Sequence, residues 1–202
     1  AFQRHLPTVM GSNWSERRVV VTGLGCVSSL GTDADTVWRN ILAGKCGVDR
    51  VTHFDITGYD CQIAAEVRGF DPTPGFPSPK EVRRTDRFTH FGVYAGWGAL
   101  KDSGLDLEKE NLDEIGVFIG SGIGGLQTME EQHDVLRERG PSRVSPFLVP
   151  MMIVDLAAGH VSIRHGLKGV NYAPVSACST GNHSIGEAGE AIPKPLDRTI
   201  RL

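Results

Sequence analysis

The sequence predicts an α/β fold in which strands and helices alternate in layers. At three places a short apolar or β-branched run ends in small residues and gives onto a helical pattern. These are residues 19–22 before Gly23 and Gly25, residues 115–119 before the glycines of 120–125, and residues 171–175 before Ala177 and Cys178. A run closed by turn residues is the pattern of a strand buried on both faces, and a 3.6-residue period after it marks a helix laid on the sheet. At 202 residues the chain can bury a core, and one domain is expected.

After the first strand, residues 31–35 supply turn and helix-capping chemistry, and Val37, Trp38, Ile41 and Leu42 fall on one face of a helix that Gly44 can end. Residues 47–79 are looser. Ile63, Ala65 and Val67 alternate with Gln62, Ala64 and Glu66, as in a half-exposed strand of a cap or hairpin. Four prolines between Asp71 and Pro79 make an irregular surface loop. From Asp86 a helix is predicted with Phe88, Phe91, Ala95 and Ala99 on its buried face. Gly92, Gly96 and Gly98 weaken it and allow a neighbouring backbone to come close. The charged stretch 106–114 reads as a solvated loop or short helical turn.

Residues 120–125 then match G-x-G-x-x-G between a strand and a helix, the context of a dinucleotide fingerprint. The acid expected about twenty residues further on a second strand is missing, which weighs against that fingerprint, and the glycines read instead as a turn that needs their dihedrals. Residues 126–138 form a helix stopped by Gly140-Pro141, residues 144–150 a rigid apolar loop. Leu156, Ala157, His160 and Val161 share a helical face that ends at Gly166. His160 and His165 read as packed or surface histidines. The final helix runs to about Glu190, closed by Pro193 and Pro195.

Cys178 stands where the last strand turns into the last helix. Free backbone N–H groups and the dipole at a helix N-terminus favour negative charge, hence the thiolate, and the same N–H groups can form an oxyanion hole. A lone cysteine is otherwise most often a buried structural thiol. The small residues of Ser176-Ala-Cys-Ser-Thr-Gly181 leave room for a substrate and favour the nucleophile.

Composition narrows the function classes. The net charge is -3 without a Lys/Arg block, which gives no reason to expect nucleic acid or an anionic membrane surface. Cys26, Cys46, Cys61 and Cys178 lack CxxC or zinc-ligand spacing, so no metal site is expected. They read as free thiols in a reducing compartment, the cytoplasm, with a mitochondrion or plastid as the alternative. No apolar run has the length of a membrane span. Residues 1–15 read as a disordered tail, residues 16–190 as the folded unit and residues 191–202 as a divergent tail.

Around Cys178 the chain resembles the β-ketoacyl-acyl-carrier-protein synthases, specifically the elongating type II condensing enzymes. The likeness continues in family order through Arg18-Val-Val-Val-Thr-Gly-Leu-Gly25, Gly120-Ser-Gly-Ile-Gly-Gly125, Val144-Ser-Pro-Phe-Leu-Val-Pro150, Ala157-Ala-Gly-His-Val-Ser-Ile-Arg164 and Gly166-Leu-Lys-Gly169, over about residues 17 to 188. It implies a thiolase-like layered α-β-α fold, of which this chain matches the N-terminal half of the usual duplicated pair. It also implies 3-oxoacyl synthesis for fatty-acid biosynthesis. An acyl group moves to Cys178, and decarboxylative condensation with malonyl-carrier-protein follows.

By the same resemblance Gly122, Ile123, Phe147, Leu148 and Ala177 line the acyl pocket, with Ile123 limiting chain length. Leu148 departs from the family's second phenylalanine, which keeps the surface apolar but leaves the pocket's shape open. Residues 171–175 would pair across a two-fold axis in a homodimer. No cofactor is implied beyond the phosphopantetheine arm of the acyl carrier protein, the expected partner.

The family's two catalytic histidines, lysine and glycine-rich phenylalanine gate have no counterpart among these residues. His5, His53, His90, His133, His160, His165 and His183 lie outside any matching motif, and the five-residue spacing of His183 from Cys178 turns it off the thiol's face of the helix. The likeness breaks after Ala188. A truncated synthase, inactive alone, is therefore expected. The alternatives are a non-catalytic half-subunit that pairs with a full-length synthase and a nucleotide-binding oxidoreductase built on residues 120–125.

Overall fold

The computed structural model describes residues 19–192, so the two expected tails lie outside the described residues except for 191 and 192. Its elements in order are α1 (Ala34–Leu42), β1 (Asp49–Arg50), β2 (Ile63–Ala64), α2 (Pro79–Val82), α3 (Arg87–Ser103), β3 (Val117–Phe118), α4 (Leu126–Arg139), α5 (Leu148–Met152), α6 (Leu156–His165), β4 (Asn171–Tyr172) and α7 (Thr180–Ala191). β1 and β2 pair antiparallel, while β3 and β4 pair parallel with Val117 opposite Asn171. Helices pack on this second pair, as the α/β reading requires.

The core forms where α3 and α6 meet behind β3. Val93, Val117, Ala158, Val161 and Leu167 are buried together with Phe76. The glycines of α3 allow this: a Cβ on Gly92 would lie 3.2 Å from both Ala157 Cβ and Ile119 Cγ2. The helix starts where the Asp86 carboxylate accepts from Phe88 N and stops at Gly104, φ +64°. Its fully buried residues are Thr89 and Val93, with Phe88 and Phe91 only half-buried, so the buried face is rotated from the expected one. The reason is that the small side chains admit α6, whereas the phenylalanines pack at the edges; Phe91 meets Phe70 at 5.5 Å between centroids.

Several expectations need correction. Residues 19–22 form no strand, and Val21 is 76 % exposed. A cavity of about 410 Å³, lined by Val19, Val21, Ile115, Phe118, Ile185 and Ala188 among others, lies between this run and β3, so no ladder forms between them. On the apolar face of α1, Val37 is half-buried while Trp38, Ile41 and Leu42 remain exposed among the described residues, Trp38 to 59 %. The proline-rich segment is less superficial than predicted. Phe76 is buried against the rings of His90 and His160, at 5.6 and 6.2 Å between centroids. Residues 144–150 are not all loop, because 148–152 turn into α5.

His160 is the packed histidine expected, and burial pushes it below the usual imidazole range. Among the described residues no helix is long and apolar enough to cross a membrane.

Candidate active site

Cys178 lies in a single 3-10 turn, Ala177–Ser179, that joins the end of β4's extended segment to α7. Its residue is exposed, as are its neighbours Ala177 and Ser179, while Thr180 and Ser184 on the inner face of α7 are buried. Turning from extended chain to helix in so few residues forces Ala177 to φ +50°. It is the only non-glycine residue among those described with positive φ, a left-handed conformation that costs an L-residue roughly 1–2 kcal/mol. The turn is held by Ser179 N donating to Ser176 O at 3.1 Å and by Ser176 N donating to Thr180 Oγ1 at 2.9 Å.

The glycine loop after β3 closes on this turn from the side. A Cβ on Gly120 would sit 2.2 Å from Pro174 O and 2.4 Å from Thr180 Cγ2, and one on Gly122 would lie 3.5 Å from Ala177 Cα. Glycine at 120 is therefore a matter of space, since its φ is not in the left-handed region. Gly122 thus lies against the backbone of Ala177, the residue before Cys178. Ile123, next in the loop, is 71 % exposed.

The other two residues expected to line a pocket, Phe147 and Leu148, belong to a neighbouring module. Phe147 lies under the Arg84 guanidinium, 4.6 Å from ring centroid to Cζ, and Leu148 begins α5, which packs against α4. Gly125 N donates to Met152 O at 3.0 Å, so α5 is joined to the glycine loop through its last residue.

Two contributors escape the sequence reading. The first is Asp86, whose buried carboxylate serves two helices at once. One oxygen accepts from Phe88 N at the start of α3, and the other accepts from Thr128 N at 3.2 Å and Thr128 Oγ1 at 2.5 Å in the first turn of α4. A capping acid is readable from sequence; its second helix is not. The Asp86 carboxylate thus stands at the first turn of α4, where it already takes the Thr128 N–H and lies 3.1 Å from where a Cβ on Gly125 would be. The second is His183, which does not face Cys178. Its Nδ1 instead meets Ser176 Oγ at 2.5 Å. Ser176 stands before α7, outside its helical period, so spacing carries no signal for this contact; the turn itself brings the two together.

All four cysteines are free thiols. Cys26 is pushed up by burial and by the negative charge of Asp33, while Cys46 and Cys61 are exposed far from any such turn.

Comparison with known proteins fits this geometry. The family model for the beta-ketoacyl synthase N-terminal domain matches residues 16–194. A relative from Vibrio cholerae, 3-oxoacyl-(acyl-carrier-protein) synthase 2, is 47 % identical over 178 residues, covering 88 % of this chain and 43 % of its own length. The ishigamide ketosynthase/chain length factor superposes with a TM-score of 0.80 at 24 % identity, covering 88 % of this chain and 44 % of that one. A type II PKS acyl-carrier protein in complex with its ketosynthase bound to the hexaketide superposes at 0.66 and 24 % identity, covering 87 % of this chain and 46 % of that one. The chain thus spans under half the length of the relatives it matches.

Proposed function

The chain belongs to the β-ketoacyl synthase family, matching its N-terminal domain, and from that premise we propose that it is the nucleophile-bearing half of a 3-oxoacyl-(acyl-carrier-protein) synthase. The observation that carries this reading is the exposed Cys178 on a strained turn at the head of α7, with the glycine loop beside it.

The first chemical step follows from that placement. Cys178 thiolate attacks the carbonyl carbon of an acyl thioester, the carrier's thiolate leaves and takes up a proton, and the acyl group stays on Cys178 as a new thioester. Backbone N–H groups at the turn stabilise the tetrahedral oxyanion. Gly122 and Ala177 offer no side chain beyond a methyl, which leaves the approach to the thiol open. Ile123, Phe147 and Leu148 would flank the acyl chain. The substrate arrives on the phosphopantetheine arm of an acyl carrier protein, the kind of partner that the superposed type II PKS ketosynthase holds in its complex. The second step, decarboxylation of malonyl-carrier-protein and attack of its carbanion on the acyl-cysteine, requires groups that none of these residues supplies.

The test is acyl transfer. After incubation with an acyl-carrier thioester, peptide mass mapping is expected to find the acyl group on Cys178, and Cys178→Ala to abolish it. Acylation spread equally over Cys46 and Cys61 would sink the reading.

A second reading has its own observation. Tyr172 is 47 % exposed and Val175 56 % exposed along the β4 segment. Such an edge suits pairing with another subunit, either as a homodimer or as a non-catalytic half-subunit on a full-length synthase. Co-purification with an intact synthase, lost in Tyr172→Pro, supports it; a chain that migrates alone at all concentrations refutes it.

A further inference from the structure

Ser176 and His183 bracket the nucleophile without touching it. The three hydrogen bonds across the turn are graded in reach. Ser179 N to Ser176 O closes one 3-10 turn, Thr180 Oγ1 holds Ser176 N from the first residue of α7, and His183 Nδ1 holds Ser176 Oγ from the next turn. The last ties the residue before the strained Ala177 to the body of the helix after it. Ala177 and Cys178 are thus enclosed in a ring whose closing bond is Ser176–His183, 2.5 Å long. His183 Nδ1 is engaged by Ser176 Oγ, so through this bond it serves Ser176 and not the thiol.

We propose that Ser176 and His183 are positioning residues for Cys178, a clasp that keeps Ala177 left-handed and the thiol at the head of α7. This rests on the reading of Cys178 as nucleophile. Without the clasp, Ala177 relaxes toward ordinary dihedrals, and the thiol swings off the helix N-terminus, where backbone N–H groups favour negative charge. The imidazole serves as a hydrogen-bonding wedge: Nδ1 accepts from the hydroxyl in one tautomer and donates to it in the other. An asparagine in place of His183 would set its Oδ1 near the same point and keep the bond.

Rates of iodoacetamide labelling, resolved by peptide mass spectrometry, test this on the full chain, with Cys46 and Cys61 as exposed internal references. In the unsubstituted chain Cys178 is expected to react fastest; if it does not, the nucleophile reading fails and the clasp falls with it. With that established, Ser176→Ala and His183→Ala are each expected to slow Cys178 about tenfold, with Cys46 and Cys61 unchanged. The double variant should be no slower than either single one, and His183→Asn should restore most of the rate. Full-speed Cys178 in both alanine variants overturns the clasp alone. So does a parallel change in all three cysteines, which marks general loosening, or a His183→Asn variant as slow as the alanine one.

Discussion

The turn bearing Cys178 and the β1–β2 hairpin are both built on two-residue strands, but they are held by opposite means. Around the turn, backbone meets backbone: Gly120 lies against Pro174 and Thr180, and Val117 N donates to Val170 O at 2.8 Å. In the hairpin, side chains span the gaps. The Glu66 carboxylate accepts from Thr52 N, Thr52 Oγ1 and His53 N, while Arg68 pairs with both Glu66 and Asp49 and donates to Arg50 O. Close backbone packing fixes atoms to within tenths of an ångström and tolerates no added volume. Long polar side chains can re-form their bonds after small shifts, so the hairpin holds shape with less exactness.

The contrast breaks first at Gly120. Gly120→Ala is expected to cost about 3 kcal/mol, because the atoms in the way are backbone and buried side chain and neither can yield. Chemical denaturation measures it, and a loss under about 1 kcal/mol would show that the packing is loose.

Next comes Asp86→Ala, which uncaps α3 and releases Thr128 of α4. A loss of about 2 kcal/mol is expected, with faster amide exchange at Phe88 and Thr128 together. Exchange that rises at Phe88 alone would mean that the two helices are held independently.

The smallest effect belongs to the hairpin and to acid. The Thr52 N–H above all, with help from the Thr52 hydroxyl, Arg68 and His53, holds Glu66 at about 2, below the ordinary 4.5. A depressed carboxylate contributes its stability above the unfolded value and loses it as pH falls through the folded one. The amides of Thr52 and His53 should therefore lose protection as pH falls from about 4.5 toward 2, with those of Val117 and Gly169 following later. Simultaneous loss would unite the two regions in one cooperative unit.

The same contrast explains what could be read from sequence. Apolar runs closed by small residues made β3, β4 and the turn into α7 legible from residue types alone, whereas the glycine at 120, read as a dihedral requirement, proves to be needed for space. Helix ends were legible where capping is local, as at Asp33, which accepts from Thr36 N, and Gly104. The second partner of Asp86 lies 42 residues away, and the Glu66 network joins residues 13 to 14 apart. Those depend on how elements meet, which periodicity does not encode. The strand expected at 19–22 failed for the same reason: β-branched residues favour extended chain, yet a ladder needs a neighbour.

The parallel pairing of β3 with β4 has a kinetic consequence. Val117 meets Asn171 only after about fifty intervening residues, including α4, α5 and α6, have been brought round into one closed loop. Hairpin β1–β2 joins residues about a dozen apart and can zip early. The thiol's setting is thus completed by a contact far less local than the hairpin's, which makes fast Cys178 labelling a clock for a later stage of folding than hairpin closure.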